Sequence, residues 1–511
     1  MGKKELREMD MSEVEKHNSE GDAWIVIDGK VLDVSMFMNF HPGSKHLLVK
    51  VAGTDCTEEF YSLHRQSVLE NFQEKLQIGT VKGKPVPPAR DLGALSLVPY
   101  AEWISPFESE KHRHLRRACR EFIEREICPY VSEWEEAGEY PDTILPLMGK
   151  FGYIAASLGP GKHLKFVDQL PSGIKPEEFD YAAERIVQEE LKRCGSWALC
   201  DGLGGGTVIG LPPVLNFGSP ELVQRIVPGV LRGEKRICLA ITDPYAGSDV
   251  ASSTAVAKKS ADGSHYIVTG LKKWITGGYP ADYFTTLVRT GGAGHGGLSL
   301  LLIERTEGVT TKRIKTSYSS VANTSLITFE DVKVPVGNLL GKEGEGFKLA
   351  MANFNHERWG MAVGGNRHNR LIIEECYKWA YNRKVFGKRL IHQPQIQERL
   401  AEMCAYTDSV SALIDNVTYK MDSMSYAEQT KKLSGAISLL KNQQVQASRV
   451  VNDGAIQIFG GRALTKTGLG SKLENFQRTY QYGAILGGAS SVLATQAIRE
   501  AIKKFPEDAR L

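Results

Sequence analysis

The sequence predicts an α+β protein built from several domains. Its 511 residues are enough for two to four domains with substantial cores. Two features carry the prediction: short strand-like runs at the N-terminus, and a β-rich stretch flanked on both sides by segments with three-to-four apolar spacing. The predicted order is a small mixed domain (1–84), a linker (85–95), a helical domain (96–235), a β domain (236–345) and a second helical domain (346–511).

The composition excludes several classes of protein. Charged residues make up 24% and apolar residues 42%, which is ordinary for a soluble protein. The formal net charge of +3 is too small to indicate nucleic-acid binding. No apolar run approaches 18 residues, so we expect no membrane span. The eight cysteines lack a Cys-x-x-Cys pair and are expected to be reduced thiols.

Two histidines of the first 84 residues, His41 and His64, have a sequence context and spacing that indicate metal ligands. Residues 22–27 alternate in polarity and run into the turn Asp28-Gly29, which predicts a hairpin. His41 stands in His-Pro-Gly-Ser, and His64 follows 23 residues later. Neutral imidazoles are good axial ligands of haem iron, and two of them leave no open position for oxygen. The segment resembles a cytochrome b5 domain, which implies haem b bound to the metal ligands His41 and His64.

The charge of this segment differs in sign from that of the remainder. Residues 1–84 hold 11 Lys and Arg against 14 Asp and Glu, whereas the rest holds 52 against 46. Opposite signs favour docking of one part on the other, although exposed charges contribute little and are sensitive to salt. The proline-rich linker is semi-rigid, and about ten residues could span roughly 30 Å.

A second signature lies in the β-rich stretch. The apolar run 238–241 precedes Thr-Asp-Pro-Tyr-Ala-Gly-Ser-Asp, and Gly270 precedes Leu-Lys-Lys-Trp-Ile-Thr. Turn signals end the first run, and we expect Trp274 and Ile275 in a short strand separate from 265–269. The pair of motifs resembles the flavin-binding middle domain of the acyl-CoA dehydrogenase family, with Asp243 where Glu is usual. The glycine-rich stretch 202–210 lacks a phosphate-loop ending and is predicted to mark close helix packing.

The resemblance extends over roughly residues 95–505 and defines the fold. It implies an N-terminal all-α domain, a central β-barrel domain and a C-terminal four-helix bundle, after the cytochrome b5-like haem domain and in a fusion of the fungal type. Among the long periodic segments, 347–369 and 371–384 are predicted as two separate helices.

The resemblance also implies an FAD site. The Trp-Ile-Thr strand would back the isoalloxazine ring, and the Arg-Lys-x-Phe-Gly turn would contact FAD held mainly by another subunit. The Gln-x-x-Gly-Gly loop would lie on the diphosphate, whereas a usual flavin-contacting Gln is replaced at Pro394. The residues assigned to the cofactor are Leu239, Ile241, Thr242, Ser248, Trp274, Ile275, Thr276, Arg383, Phe386, Gln457, Gly460 and Gly461.

Desaturation of a thioester needs one carboxylate as the base. Many family members carry it near the C-terminus, but the corresponding position here is Gly487. Some branches carry it earlier, in a Glu-Arg-x-x-x-Ala context, and Glu357 matches that position. We therefore predict Glu357 as the catalytic base. Ser248, Asn355 and Arg358 are predicted to bind substrate, with Arg358 on a different helix face from Glu357.

These features predict an FAD-dependent acyl-CoA dehydrogenase that passes electrons to its fused haem. The expected partners are an acyl-CoA substrate, a second copy in a homodimer or homotetramer, and an external electron acceptor. Two alternatives stay open. The chain could be an acyl-CoA oxidase that uses oxygen, or an inert scaffold that binds haem and flavin, which the missing acid at Gly487 would favour.

The last three residues bear on location. Ala509-Arg510-Leu511 is a variant of the Ser-Lys-Leu address and predicts peroxisomal import, with a cytoplasmic location otherwise. A fluorescent fusion that stays diffuse with and without these residues would contradict the prediction.

Overall fold

The fold is that of a computed structural model, which describes residues 6–84, 107–506 and 508. The predicted linker 85–95 and the tail Ala509–Leu511 lie outside the described residues. The chain divides into two compact units. The first contains Met1–Glu102, Ile373–Ala401 and Ala455–Glu474, and the second contains Trp103–Ile372, Glu402–Gly454 and Asn475–Leu511.

The N-terminal domain is a five-stranded sheet with four short helices. The strand order is β1-β5-β4-β3-β2, with β1 Arg7–Met9, β2 Asn18–Ser19, β3 Asp22–Ile27, β4 Lys30–Asp33 and β5 Gln77–Val81. The helices are α1 Met11–Val14, α2 Lys45–Val51, α3 Thr57–Tyr61 and α4 Gln66–Leu76. The predicted hairpin is confirmed: Ile27 pairs with Lys30, and Asp28 and Gly29 have φ of 51° and 71°. Positive φ at both central residues matches the twist of the two strands.

A helical domain follows. Its helices are α5 Glu110–Glu126, α6 Val131–Ala137, α7 Ile144–Lys150, α8 Tyr153–Ala156, α9 Tyr181–Leu191, α10 Trp197–Cys200, α11 Gly206–Gly210, α12 Pro212–Phe217 and α13 Pro220–Leu231. The glycine-rich stretch does mark close packing. A Cβ on Gly206 would lie 2.7 Å from the Ile237 oxygen, and one on Gly210 would lie 2.6 Å from the Cys238 carbonyl carbon. Only glycine permits this approach of helix to strand.

One segment of the described residues, Trp197–Phe217, is long and apolar enough to cross a membrane by length and composition. More than half of its apolar window is buried inside the protein, so it is weak evidence for a span.

The middle domain is an eight-stranded sheet. Its strands are β6 Ile237–Ala240, β7 Val256–Lys259, β8 His265–Ile275, β9 Tyr283–Arg289, β10 Leu298–Glu304, β11 Val309–Arg313, β12 Ser325–Pro335 and β13 Leu339–Leu340. The order is β11-β12-β8-β7-β9-β10-β13, with β6 parallel to β9. The prediction that Trp274 and Ile275 belong to a separate strand is wrong, because β8 runs without a break from His265 to Ile275. Gly270 lies inside β8 with a φ of 149°. Its missing side chain allows the close approach of Ala255 and does not mark the end of the strand.

The C-terminal domain consists of long helices and one small hairpin. The helices are α14 Gly346–Asn382, α15 Pro394–Asp422, α16 Tyr426–Lys432, α17 Ser434–Phe459, α18 Ser471–Ile485 and α19 Ser490–Ile502, and the hairpin strands are β14 Lys384–Val385 and β15 Lys388–Arg389. The two helices predicted at 347–384 are one continuous helix, α14. The expected break at position 370 does not occur: Arg370 lies within α14 and donates to Ser411 on α15 at 2.6 Å.

Candidate active site and cofactor sites

A cavity in the second unit is lined by helices α7 to α11 and α14. It contains about 1030 Å³ of empty space, including its mouth. Much of its wall is apolar, with Met148, Tyr153, Ile154, Leu191, Trp197 and Leu203 among the lining residues. Three carboxylates also line it: Glu184, Asp201 and Glu357. A deep apolar cavity with a few polar groups is typical of a small-molecule site.

Glu357 differs from the other two carboxylates in its partners. Glu184 Oε2 is 2.9 Å from His356 Nε2, and Asp201 accepts a hydrogen bond from the Tyr318 hydroxyl. By contrast, Glu357 Oε2 is enclosed and has no hydrogen-bond partner among the described residues. Glu357 is thus the one carboxylate of the three that has a buried oxygen without a hydrogen-bond partner among the described residues.

The environment of Glu357 suits a base. Burial raises the pKa of Glu357 to about 7, while the positive charges of Arg358 and Lys441 act in the opposite direction. A general base is most effective when its pKa lies near the operating pH. A raised pKa in a cleft is also a common mark of a functional carboxylate.

Gly487 lies directly beside this carboxylate. A Cβ on Gly487 would be 3.4 Å from Glu357 Oε1, so the two base positions predicted from the family converge on one site. Arg358 Nε donates to the Gly487 carbonyl at 2.7 Å. Lys441 Nζ donates to the carbonyls of Leu486 and Gly488, the latter at 2.9 Å. The loop next to the carboxylate is therefore fixed by Arg358 and by Lys441, whose own pKa is lowered to about 7 by burial.

Lys441 was not predicted as a site residue from the sequence. It is 1% exposed and lies on α17 next to buried Leu440 and one turn from buried Ile437. A lysine on the apolar face of an amphipathic helix was the available signal, because a buried ammonium group needs acceptors.

The predicted substrate residues are distributed differently. Arg358 and Asn355 are 5% and 7% exposed, and neither is among the residues that line the cavity. Arg358 is engaged with Gly487 and with Gln496 Oε1 at 3.4 Å. Ser248 is exposed in the turn after β6. Their contacts with substrate stay predictions.

The predicted flavin residues of the middle domain surround the end of β8. Thr276 lines the cavity together with Glu357, whereas Leu239, Ile241 and Ile275 are buried. Trp274 is half-exposed with a φ of 66°, and Thr242 is partly exposed. Thr276 is thus the residue of this set that the structure brings to the cavity that contains Glu357.

Asp243, which stands where the family usually has Glu, orders the turn that follows it. Its carboxylate accepts hydrogen bonds from the backbone of Tyr245 (3.0 Å) and Thr254 (2.7 Å). Lys272 Nζ lies 3.9 Å away and donates to the Ile241 carbonyl at 2.8 Å. Burial lowers the pKa of Lys272 to about 7. Asp243 therefore links the turn that follows it to β8 through Lys272. This role depends on contacts between residues far apart in the sequence and was not predicted.

The other predicted flavin residues lie in the first unit. Phe386, at the turn of the β14–β15 hairpin, is 95% exposed. Gln457 is exposed near the end of α17, and a Cβ on Gly460 or Gly461 would meet nothing within 4 Å. The backbone of this loop is thus open to a ligand.

Two guanidinium groups accompany the open loop. Arg383 and Arg462 lie over the ring of Trp379, at 5.8 Å and 5.0 Å from its centre. Guanidinium groups pair well with phosphate oxygens. The set fits the diphosphate of FAD. Arg462 was missed, although it directly follows the Gly-Gly pair.

The predicted haem ligands face each other. The ring centres of His41 and His64 are 6.0 Å apart. Two imidazoles bound to one metal ion at about 2 Å each would have ring centres roughly 6 Å apart. Nδ1 of His41 and of His64 each lies 3.2 Å from a backbone carbonyl, that of Ser44 and Phe60. A carbonyl can only accept, so both Nδ1 atoms donate and both Nε2 atoms are left to bind iron.

Ser44 stands where the cytochrome b5 motif has a second glycine, and its backbone adopts a conformation that is unfavourable for serine. Ser44 has a φ of 91°, a region that favours glycine. Its side-chain oxygen compensates in part by accepting from the His46 backbone at 3.2 Å, at the start of α2.

Family models match four parts of the chain. They are the cytochrome b5-like haem/steroid binding domain (residues 10–82) and the acyl-CoA dehydrogenase N-terminal (109–234), middle (238–332) and C-terminal (344–502) domains. Together the three dehydrogenase models cover more than half of the sequence.

Known proteins agree. The acyl-CoA dehydrogenase apdG of Emericella nidulans is 37% identical over 81% of this chain and 97% of its own length. An acyl-CoA dehydrogenase of Alternaria alternata is 36% identical over 79% and 95%. The crystal structure of acyl-CoA dehydrogenase from Geobacillus kaustophilus superposes with a TM-score of 0.69, at 29% identity, over 78% of this chain and 100% of that one. The chain therefore belongs to the acyl-CoA dehydrogenase family of flavoenzymes and carries a cytochrome b5-like haem-binding domain.

Proposed function

We propose that this FAD-dependent dehydrogenase desaturates an acyl-CoA thioester between its α and β carbons, with Glu357 as the base and the fused haem as electron acceptor. The observation that carries the proposal is the enclosed, unpartnered carboxylate of Glu357, with its raised pKa, in a largely apolar cavity. A scaffold without activity would gain nothing from a buried acid without a partner, because such a group destabilises the fold when it is ionised.

The residues of the chain divide the chemical work. The apolar cavity wall binds the acyl chain and excludes water from the reacting carbons. Glu357 takes the proton from the carbon next to the thioester carbonyl. FAD, when bound, supplies the hydride acceptor, and the haem supplies a one-electron acceptor. Lys441 and Arg358 hold the loop 486–488 against Glu357 and so fix its position.

The haem site favours a dehydrogenase over an oxidase. Nε2 of His41 and Nε2 of His64 would hold the haem iron, and a haem held by two imidazoles would supply one-electron transfer without an open position for oxygen. A fused acceptor makes oxygen unnecessary as the oxidant. The exposed Phe386 supports assembly into a homodimer or homotetramer, since a hairpin turn with a bare aromatic ring gains stability when a second copy covers it.

Anaerobic rapid mixing with a panel of acyl-CoA thioesters tests these assignments. We expect flavin bleaching followed by the absorbance bands of reduced haem. Bleaching without haem reduction would mean that another acceptor is used. Production of one hydrogen peroxide per product in air would favour the oxidase. If no thioester in the panel bleaches the flavin, the inert scaffold is the better interpretation.

A further inference from the structure

The residue after the haem ligand His64 joins the haem domain to a distant part of the same compact unit. Arg65 Nη1 donates to Glu375 on α14, Nη2 donates to the Leu469 carbonyl at 2.6 Å, and Nε donates to the Gly468 carbonyl at 3.4 Å. One guanidinium group thus has three acceptors outside the haem domain. Such a planar, multiply bonded arrangement fixes orientation as well as position.

The acceptor carboxylate is sequestered from water. The side chain of Glu375 is 6% exposed, and Lys472 Nζ contacts its other oxygen at 2.9 Å. Burial alone would raise the pKa of Glu375, but Lys472 and Arg65 lower it to about 2. The carboxylate stays ionised near neutral pH. A pair in this setting is screened by salt far less than an exposed one.

A second contact lies on the other side of the haem ligand. Glu58 on α3 accepts hydrogen bonds from Lys384 Nζ and from Arg389 Nη2, the latter at 3.3 Å. All three side chains are at least 31% exposed, so this contact is weaker and more sensitive to salt. We call Glu58 and Arg65 the docking surface of the haem domain.

The two segments that this docking surface contacts are those assigned to FAD. Lys384 and Arg389 are strand residues of the hairpin that carries Phe386 at its turn. Leu469 and Lys472 belong to the segment 460–472 that begins with Gly460 and Gly461. Contacts that hold a loop in its binding conformation reduce the entropy lost when a ligand arrives.

We infer that the haem domain docks on its own chain through Glu58 and Arg65, and that docking holds the hairpin 383–389 and the segment 460–472 in the conformation that binds the flavin dinucleotide. The haem domain is then a structural part of the flavin site and not a carrier that moves freely on its linker. The second half of the inference rests on the proposed assignment of Arg383, Phe386, Gly460 and Gly461 to FAD.

The test uses the full-length protein loaded with haem and FAD, and compares Arg65→Ala with Arg7→Ala. Arg7 is a matched control, because it is an arginine of the same domain whose ion pair, with Glu13 at 2.6 Å, stays within that domain. In Arg65→Ala we expect hydrogen-exchange protection of 384–389 and 460–472 to fall about tenfold or more. The Kd for FAD should rise by about 5- to 150-fold, the usual range for two coupled sites. Arg7→Ala should change neither quantity.

Each result has a defined meaning. If protection falls while the Kd for FAD stays at the parent value, docking stands and its coupling to flavin is overturned. If Arg65→Ala matches Arg7→Ala in both measurements, the docking inference itself is wrong. Because the exchange measurement does not depend on turnover, it remains decisive even if no acyl-CoA reduces the enzyme.

The haem spectrum shows whether the variant domain is folded, since misfolding would abolish the low-spin bands. Should Arg65→Ala lose its haem, the charge reversal Glu58→Lys combined with Lys384→Glu provides the second test. Glu58→Lys alone should lower protection of 384–389, and the double variant should restore it. Lack of restoration would overturn docking through this contact.

Discussion

Helix α14 carries two glutamates, one with a buried carboxylate oxygen and one with a buried side chain, whose pKa values are displaced in opposite directions. Glu357 borders the cavity and has an oxygen without a hydrogen-bond partner, and burial raises its pKa to about 7. Glu375 accepts hydrogen bonds from Arg65 and Lys472, and these cations lower its pKa to about 2 although the side chain is buried. The same residue type in the same helix therefore has a pKa near neutrality in one place and a strongly lowered pKa in the other.

The difference shows that directly bound cations decide whether burial raises the pKa of an acid or is overcome. Arg65 and Lys472 both donate directly to the Glu375 carboxylate, so its negative charge is part of a structural contact. Around Glu357 the cations act on the loop instead: Arg358 and Lys441 donate to backbone carbonyls of residues 486–488. Their charges reach Glu357 only through space, so the carboxylate stays available for proton transfer.

The largest effect is expected from Glu357→Gln. The amide keeps the size of the side chain but cannot take a proton, so flavin reduction by acyl-CoA should slow by about 10²–10⁴-fold. Flavin content and thioester binding should stay near the parent values. Stopped-flow absorbance measures the rate. Glu374→Gln is the matched control, since Glu374 is a glutamate of the same helix whose partner is Lys378 at 2.6 Å.

A second substitution sharpens this result. In the Glu357→Gln background, Gly487→Glu moves the acid to the neighbouring family position and should restore part of the lost rate. Recovery should be incomplete, because Gly487 has a φ of 64° and an added Cβ would lie 3.1 Å from Met361 Sδ. An unimpaired Glu357→Gln enzyme would show that the base lies elsewhere.

The pH dependence of stability should separate the two glutamates next. The folded pKa of Glu357 is raised, so its contribution to the free energy of unfolding falls as pH rises from about 4.5 to about 7. Relative to the parent, Glu357→Gln should therefore gain on the order of 2–3 kcal/mol between pH 5 and pH 8.

The folded pKa of Glu375 is lowered, so its contribution is lost only as pH falls from about 4.5 towards 2. Glu375→Gln should cost about 3–5 kcal/mol at both pH 5 and pH 8, because it leaves buried cations without their anion. Urea unfolding of the loaded protein at the two pH values measures both variants. Parallel pH trends for the two variants would contradict the contrast.

The sequence allowed prediction of what local motifs encode. Short motifs singled out Glu357, His41 and His64, whose roles stay predictions. The order of the domains followed from the motifs together with the pattern of strand-like and helical runs. The continuity of α14 was missed because the predicted boundary fell at Arg370, whose contacts with Asp408 and Ser411 on α15 are not recorded by the local sequence. The Arg65–Glu375 pair joins residues 310 positions apart, and Lys441 acts on a loop 45 residues away. Such contacts depend on packing that no local pattern records.

The smallest expected effect concerns the lysines that accompany each glutamate. Lys441→Met removes a positive charge that favours ionised Glu357, so the pKa of Glu357 should rise further. The acid limb of the pH profile for flavin reduction should move upward by less than about one pH unit. Lys441→Arg retains the charge and should keep the limb near its parent position. Lys472→Met is the parallel change beside Glu375, which keeps Arg65 as a partner, and it should leave the pH profile unchanged.

A lower rate in Lys441→Met without displacement of the acid limb would mean that Lys441 acts only by holding the carbonyls of residues 486–488. In that case the through-space influence of Lys441 on Glu357 would be negligible, and burial with the charges of Arg358, Asp201 and His356 would set the pKa of Glu357.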